Sequence, residues 1–178
     1  MWKRFLNEYN GVTFFRDAEW IISDAIQLYT DGSDWGMGMF LAGRWAYHSW
    51  EAHPECMRSI ELREIMPIYV SLVLWGDDYC NKKIQFNCDN KSVLDALRDQ
   101  SSTCPWIMAV IRAIVLLCLH KNILFKPVHL PGKENIYADL LSRNSLQAFH
   151  EKCAEEKPPV VMREYKVPPE VWNVFDLT

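Results

Sequence analysis

The sequence contains no apolar run that is long enough to span a bilayer without a charged residue, and its N-terminus has no signal-peptide core. Its six cysteines include no Cys-x-x-Cys pair, which argues against a zinc site and favours a reducing compartment. These absences exclude membrane-spanning and disulfide-stapled proteins. We therefore expect a soluble protein that does not bind membranes and that works inside the cell, in the cytoplasm, the nucleus or both.

An excess of basic residues is also missing. The chain has 19 Lys and Arg against 23 Asp and Glu, which gives a net charge of −4 at pH 7. Proteins that bind nucleic acid usually carry a basic face, because contacts to phosphate supply much of their affinity. The charge balance alone therefore gives no support to a strong nucleic-acid binder.

The chain of 178 residues, 49% of them hydrophobic, is long enough to bury the core of one domain. Residues 1–24 are rich in aromatic side chains and are predicted to be a lead-in segment that packs on the core. Residues 25–145 are predicted to form the domain itself. Residues 146–178 contain two Pro-Pro pairs, which predict a mostly extended, linker-like tail.

Apolar periodicity predicts the secondary structure of the domain. The predicted strands are 26–31, 36–41, 44–50, 84–88 and 123–128, and the predicted helices are 60–75, 91–99, 105–120 and one from about 134. The first three strands are expected to form an antiparallel meander, with Ala42-Gly43 as its second turn. The predicted order is β-β-β-α-β-α-α-β-α.

Two isolated carboxylates lie at the ends of predicted strands. Asp31 follows the first strand and precedes a Gly-Ser turn, and Asp89 follows the fourth strand and precedes a helix. In an open α/β sheet, ligands gather at the carboxyl ends of the strands, so acids from separate segments can converge there. Carboxylate oxygens suit hard divalent cations, and a metal site at this edge of the sheet is therefore indicated.

As a set, these residues resemble the ribonuclease H domain of retroelement reverse transcriptases, over roughly residues 28–143. The motifs that carry the resemblance are Thr30-Asp31-Gly32-Ser33, Glu64-Ile65-Met66-Pro67-Ile68, Cys88-Asp89-Asn90, and His129-Leu130-Pro131-Gly132 followed by Asn135 and by Ala138-Asp139-Leu140-Leu141-Ser142-Arg143. Each motif is weak alone, but four in order are strong. Trp2, Phe5, Tyr9-Asn10-Gly11 and Leu74-Trp75-Gly76 are similar to the DIRS/Ngaro group of tyrosine-recombinase retrotransposons.

The resemblance implies an α/β, ribonuclease H-like fold, with a five-stranded mixed sheet of three antiparallel and then two parallel strands, flanked by helices. It implies hydrolysis of the RNA strand of an RNA/DNA hybrid, with two Mg²⁺ or Mn²⁺ ions as cofactors. The implied metal ligands are Asp31, Glu64, Asp89 and Asp139. His129, ten residues before Asp139, matches the family's mobile histidine, which assists proton transfer or product departure. The groups that by position would read the 2′-hydroxyl of RNA are Gly32, Ser33, Asn90 and Asn135.

The second acid involves a choice between two glutamates. Glu61 and Glu64 are three residues apart on the predicted helix and share a face. The family pattern is Glu, two residues, Ala or Pro, then Ile, and Glu64 satisfies it because Pro67 and Ile68 follow at that spacing. We therefore favour Glu64 and keep Glu61 as the alternative.

The sequence departs from part of the family after its second predicted helix, where some ribonucleases H carry a basic protrusion. Here the segment Arg98–Pro105 contains one base and one acid. We therefore expect the isolated domain to be monomeric and to bind the hybrid weakly. Firm binding would depend on the polymerase domain of the same polyprotein.

Two other functions stay open. A transposase or integrase core shares the fold and would use Glu134 as its third acid, although Asp139 and the glutamate on the first helix favour ribonuclease H. A catalytically silent module would bind nucleic acid beside a polymerase, although such modules commonly lose acids. Individually, Asp31 also has a structural interpretation as a turn residue, Asp89 as an N-cap and Asn135 as a helix-entry cap. Trp35, Trp45 and Trp50 are predicted mainly to pack in the core, with stacking on sugar or base as the alternative.

Overall fold

A computed structural model provides the fold, and it describes residues 7, 20–22, 28–156 and 161–176. Most of the predicted lead-in segment, including Trp2, Phe5 and Tyr9-Asn10-Gly11, lies outside the described residues. The elements in chain order are β1 (Trp20–Ile22), β2 (Leu28–Gly32), β3 (Gly36–Leu41), β4 (Arg44–Ser49), α1 (Ile60–Trp75), β5 (Lys83–Cys88), α2 (Lys91–Asp99), α3 (Pro105–His120), β6 (Leu124–His129), α4 (Ile136–Ser142), α5 (Leu146–Ala154) and β7 (Arg163–Glu164).

Strands β2, β3 and β4 form the predicted antiparallel meander. Asp31 lies opposite Gly38 across β2 and β3. Ala42 and Gly43 join β3 to β4 with φ angles of 47° and 84°, the positive values that a two-residue hairpin turn with the right twist requires. All six residues of β3 are buried, because α1 and α4 both pack against this strand.

The predicted single sheet of five strands is not observed. The described strands form two groups, one with the order β2-β3-β4-β7 and one with the parallel order β1-β5-β6. Strand β1 pairs with β5 in parallel and places Ile21 opposite Ile84. The structure therefore establishes a mixed α/β fold, and the ribonuclease H-like topology stays a prediction.

Helix α1 lies at the centre of the main core. Its residues are apolar on nearly all sides, and it contacts β2, β3, α2 and α3. The helix begins after Ser59, whose Oγ accepts a hydrogen bond from the Leu62 N–H at 3.1 Å. Its bounds, and those of α2 and α3, match the predicted helices. This buried helix carries Glu64 to the β2 side of the molecule.

The tail differs from the linker that we predicted. Residues 146–154 form α5, and its Phe149 is fully buried against Phe40 and Trp45. Farther along, Val171 and Val174 lie in the main core. The described part of the tail is therefore packed on the domain. Its apolar residues at helical spacing form a helix that packs on the core, even though prolines follow them in the sequence.

Two findings bear on the expectations from composition. All six cysteines are free thiols. None of the helices within the described ranges has the length and apolar content that crossing a bilayer requires.

Candidate active site

Four carboxylates from four different elements come together. Asp31 lies in β2, Glu64 in α1, Asp89 directly after β5 and Asp139 in α4. Burial is the main cause that raises the pKa of Asp31, and the charges of Asp139 and Asp89 raise it further. Close approaches of Gly32 to α1, of Gly38 to α4 and of Gly132 to Asp89 bring these acids together.

The approach of α1 to β2 depends on Gly32. A Cβ atom at this position would lie 2.1 Å from the carbonyl oxygen of Arg63 and 3.0 Å from the backbone nitrogen of Glu64. The Gly32 N–H also donates a hydrogen bond to the Glu64 carboxylate. Glycine after Asp31 therefore allows the strand to touch the helix, and Glu64, rather than Glu61, is the acid of α1 that this contact fixes.

Burial raises the pKa of Glu64 to about 8, and the charges of Asp31 and Asp89 contribute in the same direction. The hydrogen bond from Gly32 and the charge of Arg63 oppose this rise. Glu64 is thus an acid that the fold holds largely in its protonated form at neutral pH. A divalent cation would favour the carboxylate and so replace that proton.

A second close approach brings α4 to the acids. A Cβ atom at Gly38 would lie 2.4 Å from the carbonyl oxygen of Ala138 and 2.6 Å from the nitrogen of Ser142. Ser142 Oγ donates to Asp31 Oδ2 at 2.5 Å. One turn away on α4, the Asp139 carboxylate faces the same site.

Arg143 is the cation of this cluster. Its Nε donates to Asp139 Oδ1 at 2.7 Å, in an ion pair that is partly exposed. Ser142 and Arg143 are not among the predicted site residues, although both close the motif that contains Asp139. Their position in that motif was the signal that would have identified them.

His129 lies beside the acids and is exposed. It is the last residue of β6 and pairs with Cys88, the residue before Asp89. The chain then folds back, so that a Cβ atom at Gly132 would lie 3.0 Å from Asp89 Oδ2. The predicted histidine is thus close to Asp89 and accessible to solvent, as proton transfer requires.

Besides Gly32, the other three predicted readers of the 2′-hydroxyl also make contacts within the protein. Asn90 Oδ1 accepts from the Val93 N–H at 3.2 Å and caps α2, and Ser33 Oγ donates to the Ser142 carbonyl oxygen at 2.7 Å. Asn135 is only 4% exposed, and its Nδ2 donates to the Thr30 carbonyl oxygen at 2.7 Å. The Asn135 amide is therefore buried against β2, and its contact with substrate stays a prediction.

The residues present suit divalent cations by their chemistry. Within the described ranges, no group of three or more His, Cys, Asp or Glu side chains is placed so that it could hold a metal ion. Asp31 and Asp139 each use one oxygen on a neighbour, Ser142 and Arg143 respectively. The set nevertheless offers only oxygen donors. Burial, and after it the charges of neighbouring acids, raises the pKa of Asp31 and of Glu64, and a bound cation would favour their ionised forms.

Comparison with known proteins gives no match for this chain, either to a protein family or to a curated sequence. The likeness to ribonucleases H therefore stays a prediction from the motifs. The class that fold and site define together is an α/β protein with clustered acids at the end of a strand.

The raised pKa of Glu64 predicts a loss of stability with rising pH in the absence of metal. Its pKa in the folded protein, about 8, is above the ordinary 4.5, so between these values the folded state keeps a proton that the unfolded state releases. The free energy of unfolding should fall between pH 5 and pH 8, by about 2–4 kcal/mol for a shift of this size. Urea denaturation at several pH values in EDTA measures it.

Glu64→Gln should remove most of this pH dependence, and Glu61→Gln is the matched control that should leave it unchanged. Mg²⁺ should restore stability at pH 8 in the original protein more than in Glu64→Gln. If the free energy of unfolding of Glu64→Gln falls with pH as steeply as that of the original protein, another group carries the proton that the folded state keeps.

Proposed function

We propose that this chain is a metal-dependent ribonuclease H that hydrolyses the RNA strand of RNA/DNA hybrids during reverse transcription of a retroelement, most like the DIRS/Ngaro group. One observation carries the proposal: Asp31, Glu64, Asp89 and Asp139 come from four separate elements and act electrostatically on one another. Independent roles in turns, caps or surface pairs would not require them to meet. Mutual repulsion also makes such a cluster costly unless cations neutralise it.

Two Mg²⁺ or Mn²⁺ ions, when bound, would activate a water and stabilise the leaving 3′ oxygen in attack on phosphorus. By resemblance, Asp31 would be a ligand of both ions. By resemblance, Glu64 and Asp89 would hold the ion on the leaving-group side, and Asp139 the ion near the attacking water. Ser142 Oγ would keep Asp31 oriented throughout.

His129 is placed to move a proton at the edge of this site. It is exposed and lies one strand away from Asp89, so its ring can exchange protons with solvent and contact a departing product. Gly32 and Ser33, which follow Asp31, Asn90, which follows Asp89, and Asn135 stay the proposed readers of the RNA strand. The polymerase domain of the same polyprotein would supply the additional contacts to the hybrid.

The second candidate, a silent module that holds nucleic acid, is favoured by one observation. The Arg143 guanidinium pairs with Asp139 at 2.7 Å, so a metal ion at Asp139 must compete with an internal cation. The transposase alternative has less support, because Glu134 lies exposed in the turn before α4 and Asp139 occupies the place beside Asp31.

The proposal is tested by incubating the purified chain with labelled RNA/DNA hybrid, double-stranded RNA and double-stranded DNA, in Mg²⁺ and then in Mn²⁺. Cutting should be confined to the RNA strand of the hybrid. Asp89→Asn should lower the rate at least about a hundredfold, because a ligand charge is lost. Asp99→Asn, at the exposed end of α2, is the matched control and should cut normally. No cutting under conditions where the hybrid demonstrably binds would favour the silent module.

A further inference from the structure

The turn between β2 and β3 displays Trp35, which is 67% exposed. Of the three tryptophans predicted mainly for the core, Trp45 and Trp50 are buried and Trp35 is not. A single exposed apolar side chain is ordinary on a protein surface. The setting of Trp35, rather than its exposure alone, points to a role.

Hydrogen bonds fix this turn from both sides. Trp35 N–H donates to Ser33 Oγ at 3.0 Å, and Ser33 N–H donates to the Gly36 carbonyl oxygen at 3.0 Å. Trp50 makes two further hydrogen bonds to the backbone of this turn. Its indole Nε1 donates to the Ser33 carbonyl oxygen at 2.9 Å, and its backbone N–H donates to the Trp35 carbonyl oxygen at 3.2 Å. The backbone that carries the exposed indole is therefore ordered before any ligand binds, which lowers the entropic cost of a contact.

The same turn borders the acid cluster. Ser33 Oγ donates to the backbone of Ser142, the residue whose side chain holds Asp31. Asp34, directly before Trp35, forms an ion pair with Arg63, which is the residue before Glu64 on α1. The turn therefore contacts both α1 and α4, the two helices that carry acids of the cluster.

We propose that Trp35 is a stacking platform for an unpaired RNA base beside the cleavage site, so that the site prefers junctions between hybrid and single-stranded RNA. This inference rests on the proposed function. In a continuous duplex, both faces of each base are covered by neighbouring bases, and an indole can stack only where a base is left uncovered. Such stacking tolerates any base sequence and does not depend on an excess of basic residues, which this chain, with a net charge of −4, does not have.

The test measures binding in the Asp89→Asn background, so that no cleavage is required. The probes are a blunt RNA/DNA hybrid and the same hybrid with a single-stranded RNA extension that carries 2-aminopurine at its first unpaired position. Trp35→Ala should weaken binding to the extended hybrid about tenfold to a hundredfold and leave the blunt hybrid within about twofold. Trp35→Phe should keep most of the affinity, because a ring remains.

Met57→Ala, a change at another exposed apolar residue, is the matched control and should have no effect. Quenching of 2-aminopurine fluorescence should occur with Trp35 and be lost with alanine, a readout that a purely structural role would not move. Equal affinity for both hybrids, or equal weakening of both by Trp35→Ala, overturns the inference.

The two proposals fail separately. Hybrid cutting without an effect of Trp35 overturns only the stacking platform. Junction-specific stacking in a protein that cuts no substrate overturns only the nuclease.

Discussion

Replacement of Asp31 by asparagine should lower the rate of hybrid cleavage at least about a thousandfold, which corresponds to about 4 kcal/mol of activation free energy. Asparagine has nearly the same shape, and its Oδ1 can still accept the hydrogen bond from Ser142 Oγ. The change therefore removes the charge and little else. Because Asp31 is acted on by two of the other acids, its loss should disrupt both proposed cation positions.

Although Asp31→Asn should lower activity, it should raise the free energy of unfolding or leave it unchanged. Asp31 is 9% exposed and its pKa is raised by burial, so its ionised form destabilises the folded protein at pH 8 without metal. Asp31→Asn should unfold at an equal or higher urea concentration than the original protein in EDTA. A loss of activity that is matched by a loss of stability would identify Asp31 as a structural turn residue, and Asp99→Asn again serves as the unaltered control.

Gly32→Ala should have the largest effect on stability. The added methyl would lie 2.1 Å from the carbonyl oxygen of Arg63, and this oxygen belongs to the backbone of the buried helix α1. Strand and helix must separate to accommodate it, which should cost at least about 3 kcal/mol of unfolding free energy. The same separation moves Glu64 from Asp31, so activity should fall about a hundredfold or more even at low temperature, where the protein stays folded.

Gly76→Ala is the matched control for this clash. A Cβ atom at Gly76 would lie 3.0 Å from the far part of the flexible Lys121 side chain, and the backbone there is helical with φ −60°. Its unfolding free energy should stay within about 0.5 kcal/mol of the original. If Gly32→Ala behaves like this control in urea denaturation, α1 and β2 are not in the contact described.

The central helices were predicted to the residue because their signals are local. Ser59 and Asn90 cap the starts of α1 and α2, and apolar periodicity fills the turns that follow. Strand β1 has no such local signal. Its three residues pair with β5, which lies some sixty positions later in the chain. Only the packed structure determines this pairing, and with it the arrangement of the strands in two groups rather than in one sheet.

The residues of the candidate site also form two groups: those that local sequence signals predict, and those whose role appears only in the packed structure. Asp31 and Asp89 were predictable at strand ends, because a strand and a following turn are visible in the sequence. The role of Gly32 in a helix contact was not, since a glycine in a turn and a glycine under a helix look the same. For Asn135 the sequence predicts a surface position, because a polar residue in a functional motif is expected there. In the structure its side chain is buried and donates a hydrogen bond to the Thr30 carbonyl oxygen in β2.

The short strand β7 has a consequence for self-association. Arg163 and Tyr165 donate backbone hydrogen bonds to Gly43 and Trp45 at 2.9 and 2.8 Å, so the chain itself covers an edge of β4 that would otherwise be open to a second molecule. In the other sheet, β6 contains Pro127, which has no N–H to offer an incoming strand. A fragment that ends before residue 161 would uncover β4 and create a template for aggregation, whatever its catalytic competence.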